Sequence, residues 1–346
     1  MILPSSYVVT AALIAIALIC LGSWANLYKL TKGWRFELFY FDFAIAVGLT
    51  ALVIGLTFGN MGFDGFTLVD DILHAGRRQE FFALVGGVLL NLGTMFLLAV
   101  VSIAGLSLAY PTVIGIGAAL TVCISYALAP QGNLMLLFTG LGMLLVAVVF
   151  NLLGYHNYLS VKLIENIKSG KVKSLRTTVN LKAIVLSLVG GVMVGAAYPI
   201  IQMAAYRDVD NENGVGPYAL ALLVAMGVCF SAFVFNLFFM NVPVEGPVLE
   251  ISAYFKSKFK QHLLGFAAGV IWCIGMEAGL VAATGQGAGK IAPQVVFGAT
   301  RGSMVLGALW GVLAWKEFFD SDTRWKSYIW LTMLLLAVGT VMITIG

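Results

Sequence analysis

Ten apolar stretches, each about as long as a membrane-crossing helix, constrain this chain more than any other feature of its sequence. A helix needs about 20 mostly apolar residues to cross the hydrocarbon core of a bilayer. Only 10% of the residues are charged, whereas an ordinary soluble domain has about 25%. The sequence therefore predicts an all-α integral membrane protein with ten transmembrane helices. The predicted spans are 6–28, 38–58, 81–103, 106–128, 133–154, 183–205, 216–240, 262–284, 291–314 and 327–345.

Lysine and arginine residues are concentrated in the connections that follow odd-numbered spans. These connections hold fifteen of the twenty basic residues, and Arg301 lies inside a span. Because cytoplasmic loops carry the excess of basic residues, both termini are expected to be non-cytoplasmic, in the cell (inner) membrane. The net charge of +4 follows from this topology and does not indicate nucleic-acid binding. The first span has no small-residue cleavage signature and is expected to be retained rather than removed as a signal peptide.

The two halves of the chain resemble each other. A shift of 182 residues aligns the third and fourth spans with the eighth and ninth without a gap. The matched pairs include Gly87 with Gly269, Gly93 with Gly275, Gly105 with Gly287, and Pro111 with Pro293. Chance matching of glycine-rich apolar segments is the alternative. Because each half has an odd number of spans, the second half must cross the bilayer in the opposite direction, as two inverted five-helix repeats. The predicted units are a first repeat (1–154), a basic cytoplasmic linker (155–182) and a second repeat (183–346).

Several segments carry a resemblance to known transporters. They are GSWANLYKLTKGWRFELFYFDF, LTALVIGLTFGNMG, VGGVLLNLGTMF, IAGLSLAYPT and APQVVFGATRGSMVLGALWGVLAWKEF. This pattern is similar to the ureide permease family, within the drug/metabolite transporter superfamily that also contains glucose/ribose and rhamnose porters. The resemblance implies two inverted five-helix halves and transport by alternating access, with Pro293 and Glu317 at the ends of the ninth span.

Three ionisable side chains lie inside predicted spans, where a charge costs about 2.5–3.5 kcal/mol. Glu277 and Arg301 fall at depths that differ by about 6 Å, within reach of a long arginine. The pair is either a structural ion pair or a proton-coupling or substrate-charge site. Asp42 lies one turn into the second span, and both a structural role and a contact with substrate or proton remain open for it.

A set of amide, hydroxyl and aromatic side chains is expected to line a cavity between the helices. The predicted substrate-binding residues are Trp24, Asn26, Asn91, Tyr110, Tyr198, Gln202, Trp272 and Gln294. Such groups suit a small, neutral, hydrogen-bonding solute. Each amide alone is equally consistent with an interhelical hydrogen bond.

The sequence predicts a secondary active transporter of a small polar metabolite rather than an enzyme. Proton-coupled uptake of a ureide or nucleobase-type compound is the first hypothesis, and a sugar porter is the second. A membrane-embedded sensor or enzyme and a drug exporter are further alternatives. His74, His156 and His262 have no metal-ligand spacing and are expected at the membrane interface. No phosphate-binding loop or nucleophile motif is recognised, and no cofactor is expected.

Overall fold

The computed structural model describes residues 1–62, 64–168, 181–205, 213–317 and 323–346. In that part of the chain, ten helices are long and apolar enough to cross a membrane, in agreement with the sequence prediction. We label them α1 (Tyr7–Leu30), α2 (Phe36–Thr57), α3 (Arg77–Ala104), α4 (Leu106–Leu128), α5 (Leu134–Ile164), α6 (Leu181–Ala204), α7 (Pro217–Asn241), α8 (Phe259–Ala282), α9 (Pro293–Ala314) and α10 (Lys326–Ile345).

The fifth helix is longer than its hydropathy indicates. It continues as helix from Leu134 to Lys168, past the predicted end of the span at residue 154. Hydropathy falls there, but good helix formers follow, and outside the membrane a helix ends where its propensity fails. The predicted linker 155–182 therefore begins as helix, and its basic residues at 171, 173 and 176 fall outside the described residues.

The main helix–helix contacts recur five helices later along the chain. The helix α3 packs along α6, and α8 packs along α1. In the same way, α2 packs on α8 and α7 on α3, while α4 packs on α6 and α9 on α1. Two pairs map onto themselves, α2 with α7 and α5 with α10. The main contacts of the first five helices thus have counterparts among the last five.

Glycines matched by the shift of 182 residues also make matched close approaches. A Cβ atom on Gly87 of α3 would lie 2.2 Å from the carbonyl oxygen of Val224 in α7. A Cβ atom on Gly269 of α8 would lie 2.2 Å from the carbonyl oxygen of Phe43 in α2. Small residues at such positions allow helix backbones to touch inside a membrane. The sequence match therefore corresponds to the same packing contact in each half.

We expect Gly87→Ala and Gly269→Ala to destabilise the protein to similar extents, by about 1–3 kcal/mol, because each new methyl group meets backbone. Gly142 in α5 is the matched control, since a Cβ atom there has no neighbour within 4 Å. Gly142→Ala should be neutral or stabilising by up to about 1 kcal/mol, because alanine favours helix. Thermal unfolding of the purified protein in detergent gives the melting temperatures of the three variants. Equal melting temperatures for all three variants would contradict the packing.

The fourth and ninth helices differ in where their prolines lie. Pro293 is the first residue of α9, whereas Pro111 lies inside α4 within the π-helical turn Tyr110–Ile114. Their expected placement at equivalent points is therefore wrong. A proline needs no hydrogen-bond donor at a helix start, whereas inside a helix it removes one, and a π turn accommodates the loss. Gly105 and Gly287 both have positive φ values, of 88° and 52°.

Hydrogen bonds between connections define two ends of the molecule. At one end, which we call the basic end, the α1–α2 connection meets the α7–α8 and α9–α10 connections, as where Arg35 donates to the carbonyl of Pro247. At the opposite end, the ammonium group of Met1 donates to the carbonyl of Asp64. Asn133 donates to the carbonyl of Gly346 at 2.6 Å, at this opposite end too. Both termini therefore lie at the same end, away from the basic connections.

A buried carboxyl group joins two connections at the opposite end. Asp71, on the short helix Leu68–His74, is 4% exposed and accepts a hydrogen bond from the Gly216 backbone at the start of α7. Its second oxygen is buried with no donor among the described residues. His74 and the amino terminus are the nearby cationic groups. Burial nevertheless raises the pKa of Asp71 from 3.8 to about 6.

This shift predicts a pH dependence of stability. Because the folded state holds the Asp71 proton more tightly than the unfolded state, the protein should be most stable below pH 3.8 with respect to this group and lose stability as the pH rises to about 6. Above that pH the loss is constant, at about 2–3 kcal/mol. Asp71→Asn keeps the acceptor for Gly216 and should raise the melting temperature at pH 8 but not at pH 4. A pH-independent difference between variant and wild type would contradict the burial argument.

Candidate functional site

A central cavity of about 130 Å³ lies among α1, α3, α4, α6, α7, α8 and α9. Such a volume accommodates about ten water molecules, or a metabolite with a similar number of heavy atoms. Aliphatic and aromatic side chains make most of its wall. The polar or aromatic residues that line it include Trp24, Thr94, Tyr110, Tyr198, Gln202, Trp272, Thr300, Arg301 and Ser303. The cavity thus brings together five of the eight predicted substrate-binding residues and one predicted charge-site residue.

Aromatic rings form the deep part of the cavity. Trp24 and Trp272 both pack on Phe43, with ring centroids 4.9 and 5.7 Å apart. Tyr110 donates a hydrogen bond to the carbonyl of Leu21 at 3.1 Å. The rings of Trp24 and Tyr110 are almost fully buried. Packing fixes these rings, which bound the cavity as rigid, largely apolar walls.

Arg301 lies where α9 is interrupted, at the end of the segment Pro293–Arg301. Its guanidinium carbon is 4.3 Å from the ring centroid of Phe297 and 5.9 Å from that of Tyr198. The rings of Tyr198 and Phe297 stack on each other at 4.2 Å. The Nε atom of Arg301 is buried and has no hydrogen-bond acceptor among the described residues. The planar guanidinium group of Arg301 therefore packs on aromatic rings in the wall of the cavity.

Glu277, the second member of the predicted charge pair, lies outside this cavity. On α8 the residues Gly275, Met276 and Gly279 line the cavity, whereas Glu277 belongs to a different, buried stripe with Cys273 and Val281. A helix turns by about 100° per residue, so equal depth does not place two side chains on one face.

The environment of Glu277 is unusual because the carboxyl group has no partner. The residue is 2% exposed, and no described residue donates a hydrogen bond to either oxygen. Tyr218 of α7 and Cys273 are ionisable groups that interact electrostatically with Glu277. The expected contact with Arg301 does not form in this conformation, since neither group has a described ion-pair partner.

Asp42 is held in a cluster at the basic end, away from the cavity. One of its oxygens lies 2.8 Å from Nδ1 of His262, and the other accepts a hydrogen bond from Tyr254 at 2.6 Å. Trp34 packs edge-on against His262 and donates to Ser257. His262, in the first turn of α8, therefore ties α8 to α2. The histidine and its carboxylate are separated by 220 positions in the sequence, so local spacing gave no signal.

Three of the predicted polar binding residues make contacts elsewhere. Asn91 is fully buried and bridges helices, accepting from Tyr40 and donating to Ser231 at 2.9 Å each. Asn26 accepts from Trp315 at the basic end, and Gln294 donates to Gln131 at the opposite end. These three side chains do not line the cavity. Asn91 bridges helices, whereas Trp315 and Gln131, the partners of the other two, lie in connections between helices.

A set of contacts around Glu317 closes the basic end of the molecule. The carboxylate of Glu317 accepts hydrogen bonds from the backbone nitrogens of Leu106 and Ser107 at 3.0 and 2.9 Å, and from the Ser107 hydroxyl. It also forms an ion pair with Lys29. One carboxylate thus joins the ends of α1 and α9 to the start of α4. The cavity, by contrast, extends to Ala283 beyond the last turn of α8, toward the opposite end.

Comparison with known proteins points to one group of plant membrane proteins. The chain is 24% identical to ureide permease 1 of Arabidopsis thaliana over 97% of its own length and 96% of that protein. It is 24% identical to ureide permease 3 of Arabidopsis thaliana over 79% of the chain and 87% of that protein. It is 26% identical to probable ureide permease A3 of Vigna unguiculata over 64% of each chain. No protein-family profile matches the sequence. The chain is a multi-pass, permease-like membrane protein.

Proposed function

We propose that this chain is a secondary active transporter that takes up a ureide or nucleobase-type compound by alternating access, with protons as the coupling ion. The observation that carries the proposal is the central cavity. It is small, bounded by flat aromatic rings, and holds a few hydroxyl, amide and guanidinium groups. Cyclic ureides and pyrimidines are planar, about the same size, and rich in amide donors and acceptors. Similarity to ureide permeases over nearly the whole chain supports the same substrate class.

An inverted repeat would give this cavity two alternative openings. The five-helix shift in packing and the matched glycine contacts of Gly87 and Gly269 support such a repeat. In an inverted repeat, each half can adopt the conformation of the other, and this exchange moves access from one membrane face to the other. The conformation described here has the basic end closed and the cavity reaching toward the opposite end.

The orientation in the membrane follows from the basic residues. With the basic end on the cytoplasmic side of the cell membrane, both termini are non-cytoplasmic. The described conformation is then outward-facing. Membrane-impermeant labelling of a cysteine introduced at position 170 tests the orientation, since modification from the outer face of intact cells alone would reverse it.

Two carboxyl groups qualify as proton carriers. Glu277 is buried without a partner, and the charged form of a carboxyl group is unfavourable in such surroundings. Glu277 should therefore hold its proton while it is buried and release it in a conformation that lets water reach it. Asp42 is shared between Tyr254 and His262, and its contacts link three segments that must separate if the basic end opens. We assign coupling to Glu277 first, because Asp42 already has two partners.

Uptake into proteoliposomes tests the proposed function. Purified protein is reconstituted, an inward proton gradient is imposed, and accumulation of labelled uracil and allantoin is followed beside glucose, ribose and rhamnose. We expect gradient-dependent accumulation of the nitrogen-rich compounds and none of the sugars. Accumulation of a sugar alone would favour the porter alternative, and gradient-independent uptake of uracil would reject proton coupling while keeping the substrate class.

A further inference from the structure

Arg301 is the only charged residue among the described residues that line the cavity. Its Nε–H group is buried without an acceptor, and its guanidinium faces two aromatic rings instead of an acid. Buried charges in proteins are almost always paired, and an intramembrane arginine without a partner is costly. The position of Arg301 at the end of a helical segment helps only in part, because a helix dipole balances a fraction of one charge.

Among the described residues, the acids of the helices that surround the cavity are placed elsewhere. Glu277 faces a different side of α8, and Asp42 is engaged by His262 and Tyr254 at the basic end. Glu37 is paired with Arg35, with oxygen–nitrogen distances of 2.6 and 3.1 Å. None of the described ion pairs includes Arg301.

We propose that the transported molecule itself supplies the counter-charge, so that the preferred substrate is a planar, amide-bearing compound with one carboxylate. This inference rests on the proposed function and narrows its substrate class from neutral to anionic compounds. A guanidinium presents parallel N–H donors that match the two oxygens of a carboxylate. Packing against Phe297 holds the fork in place, so that less freedom is lost when the anion binds.

The geometry divides the cavity into two parts. The rings of Trp24 and Trp272 bound one part of the cavity, and Arg301 of α9 lines it together with Tyr198 and Gln202 of α6. A flat ring can occupy the aromatic part while its carboxylate reaches the guanidinium. The available volume of about 130 Å³ leaves room for a single ring with one small substituent.

Two matched pairs of compounds test the inference on the full-length purified protein. Orotate is uracil with an added carboxylate, and hydantoate is the ring-opened carboxylate of hydantoin. Dissociation constants of all four are measured by calorimetry in a chloride-free buffer. Wild-type protein should bind each carboxylate at least about tenfold more tightly than its neutral partner, as expected for a charge-assisted bidentate contact.

Arg301→Gln should abolish this preference, so that each carboxylate binds the variant no more tightly than its neutral partner does, whereas Arg301→Lys should keep part of it. Lys290→Gln is the matched control, because Lys290 is an exposed cation at the same end, outside the cavity, and it should behave as wild type. Normal melting temperatures of the variants establish folding. If Arg301→Gln does not fold, Arg301→Lys carries the test. An unchanged preference of Arg301→Lys for the carboxylates over their neutral partners would then reject the inference.

The remaining outcomes separate this inference from the proposed function. Wild-type binding of uracil and hydantoin without preference for orotate or hydantoate would overturn the anionic substrate and leave the transporter proposal intact. Binding of none of the four compounds would overturn both. Tight binding of chloride alone at Arg301 would identify an inorganic counter-ion and also reject a carboxylate substrate.

Discussion

Glu277→Gln is expected to abolish proton-driven accumulation of substrate while leaving exchange of substrate across the membrane active. The amide preserves the size of the side chain and removes its titration. A pH difference of one unit stores about 1.4 kcal/mol per proton, enough for roughly tenfold accumulation with one coupled proton. The variant should therefore reach only the equilibrium level, whereas wild type exceeds it about tenfold under this gradient. Counterflow in the same proteoliposomes, without a gradient, measures exchange.

The neighbouring ionisable groups and a second carboxyl group provide the controls. Tyr218 and Cys273 sense the charge of Glu277, so Tyr218→Phe and Cys273→Ala should retain accumulation if Glu277 alone carries the proton. Glu37 is equally buried but is paired with Arg35, and Glu37→Gln should lower stability without uncoupling. Unchanged gradient-driven uptake in folded Glu277→Gln would end the assignment and make Asp42 the candidate.

The number of transmembrane helices was predictable because hydrophobic length is a local property. Ten stretches satisfy the length of the bilayer, and all ten form helices near their predicted bounds. Hydropathy did not predict that the fifth helix continues to Lys168, because helix outside the membrane depends on helix propensity rather than on hydrophobic length. The close helix contacts at Gly87 and Gly269 were predictable as well, because a contact between helix backbones needs a small residue and the matched glycines indicate where it occurs.

The candidate site was predictable only in part because depth along a helix does not determine direction around it. Trp24, Tyr110, Tyr198, Gln202 and Trp272 do line the cavity. The pairing of Glu277 with Arg301 was argued from depth alone, and the two side chains face different neighbours. The partners of the three amides Asn26, Asn91 and Gln294 are aromatic, hydroxyl or amide groups on distant segments. No local pattern identifies such partners, so a bridging amide and a binding amide look alike in sequence.

Glu317 combines two kinds of contact at the closed basic end. Its carboxylate accepts from two backbone nitrogens at the start of α4, where the helix dipole favours an anion, and it also pairs with Lys29 of α1. Gly105 precedes these nitrogens with a φ of 88°, and a Cβ atom there would lie 2.7 Å from the carboxylate carbon. The tight approach depends on glycine. One side chain therefore joins three helices at the closed end.

Glu317→Ala is expected to shift the protein toward conformations that are open at the basic end by about 3 kcal/mol, or roughly a hundred-fold in population, because hydrogen bonds to a charged group are lost together. The reporter is a cysteine at Leu97, in the cavity wall, in a background without the four native cysteines. Its modification by an impermeant reagent from the basic end should accelerate strongly. Lys29→Gln removes only the ion pair and should accelerate labelling less, while Glu250→Gln, an exposed acid at the same end, should change nothing. Labelling of folded Glu317→Ala at the wild-type rate would mean that other contacts, such as Asp42 with His262, hold this end closed.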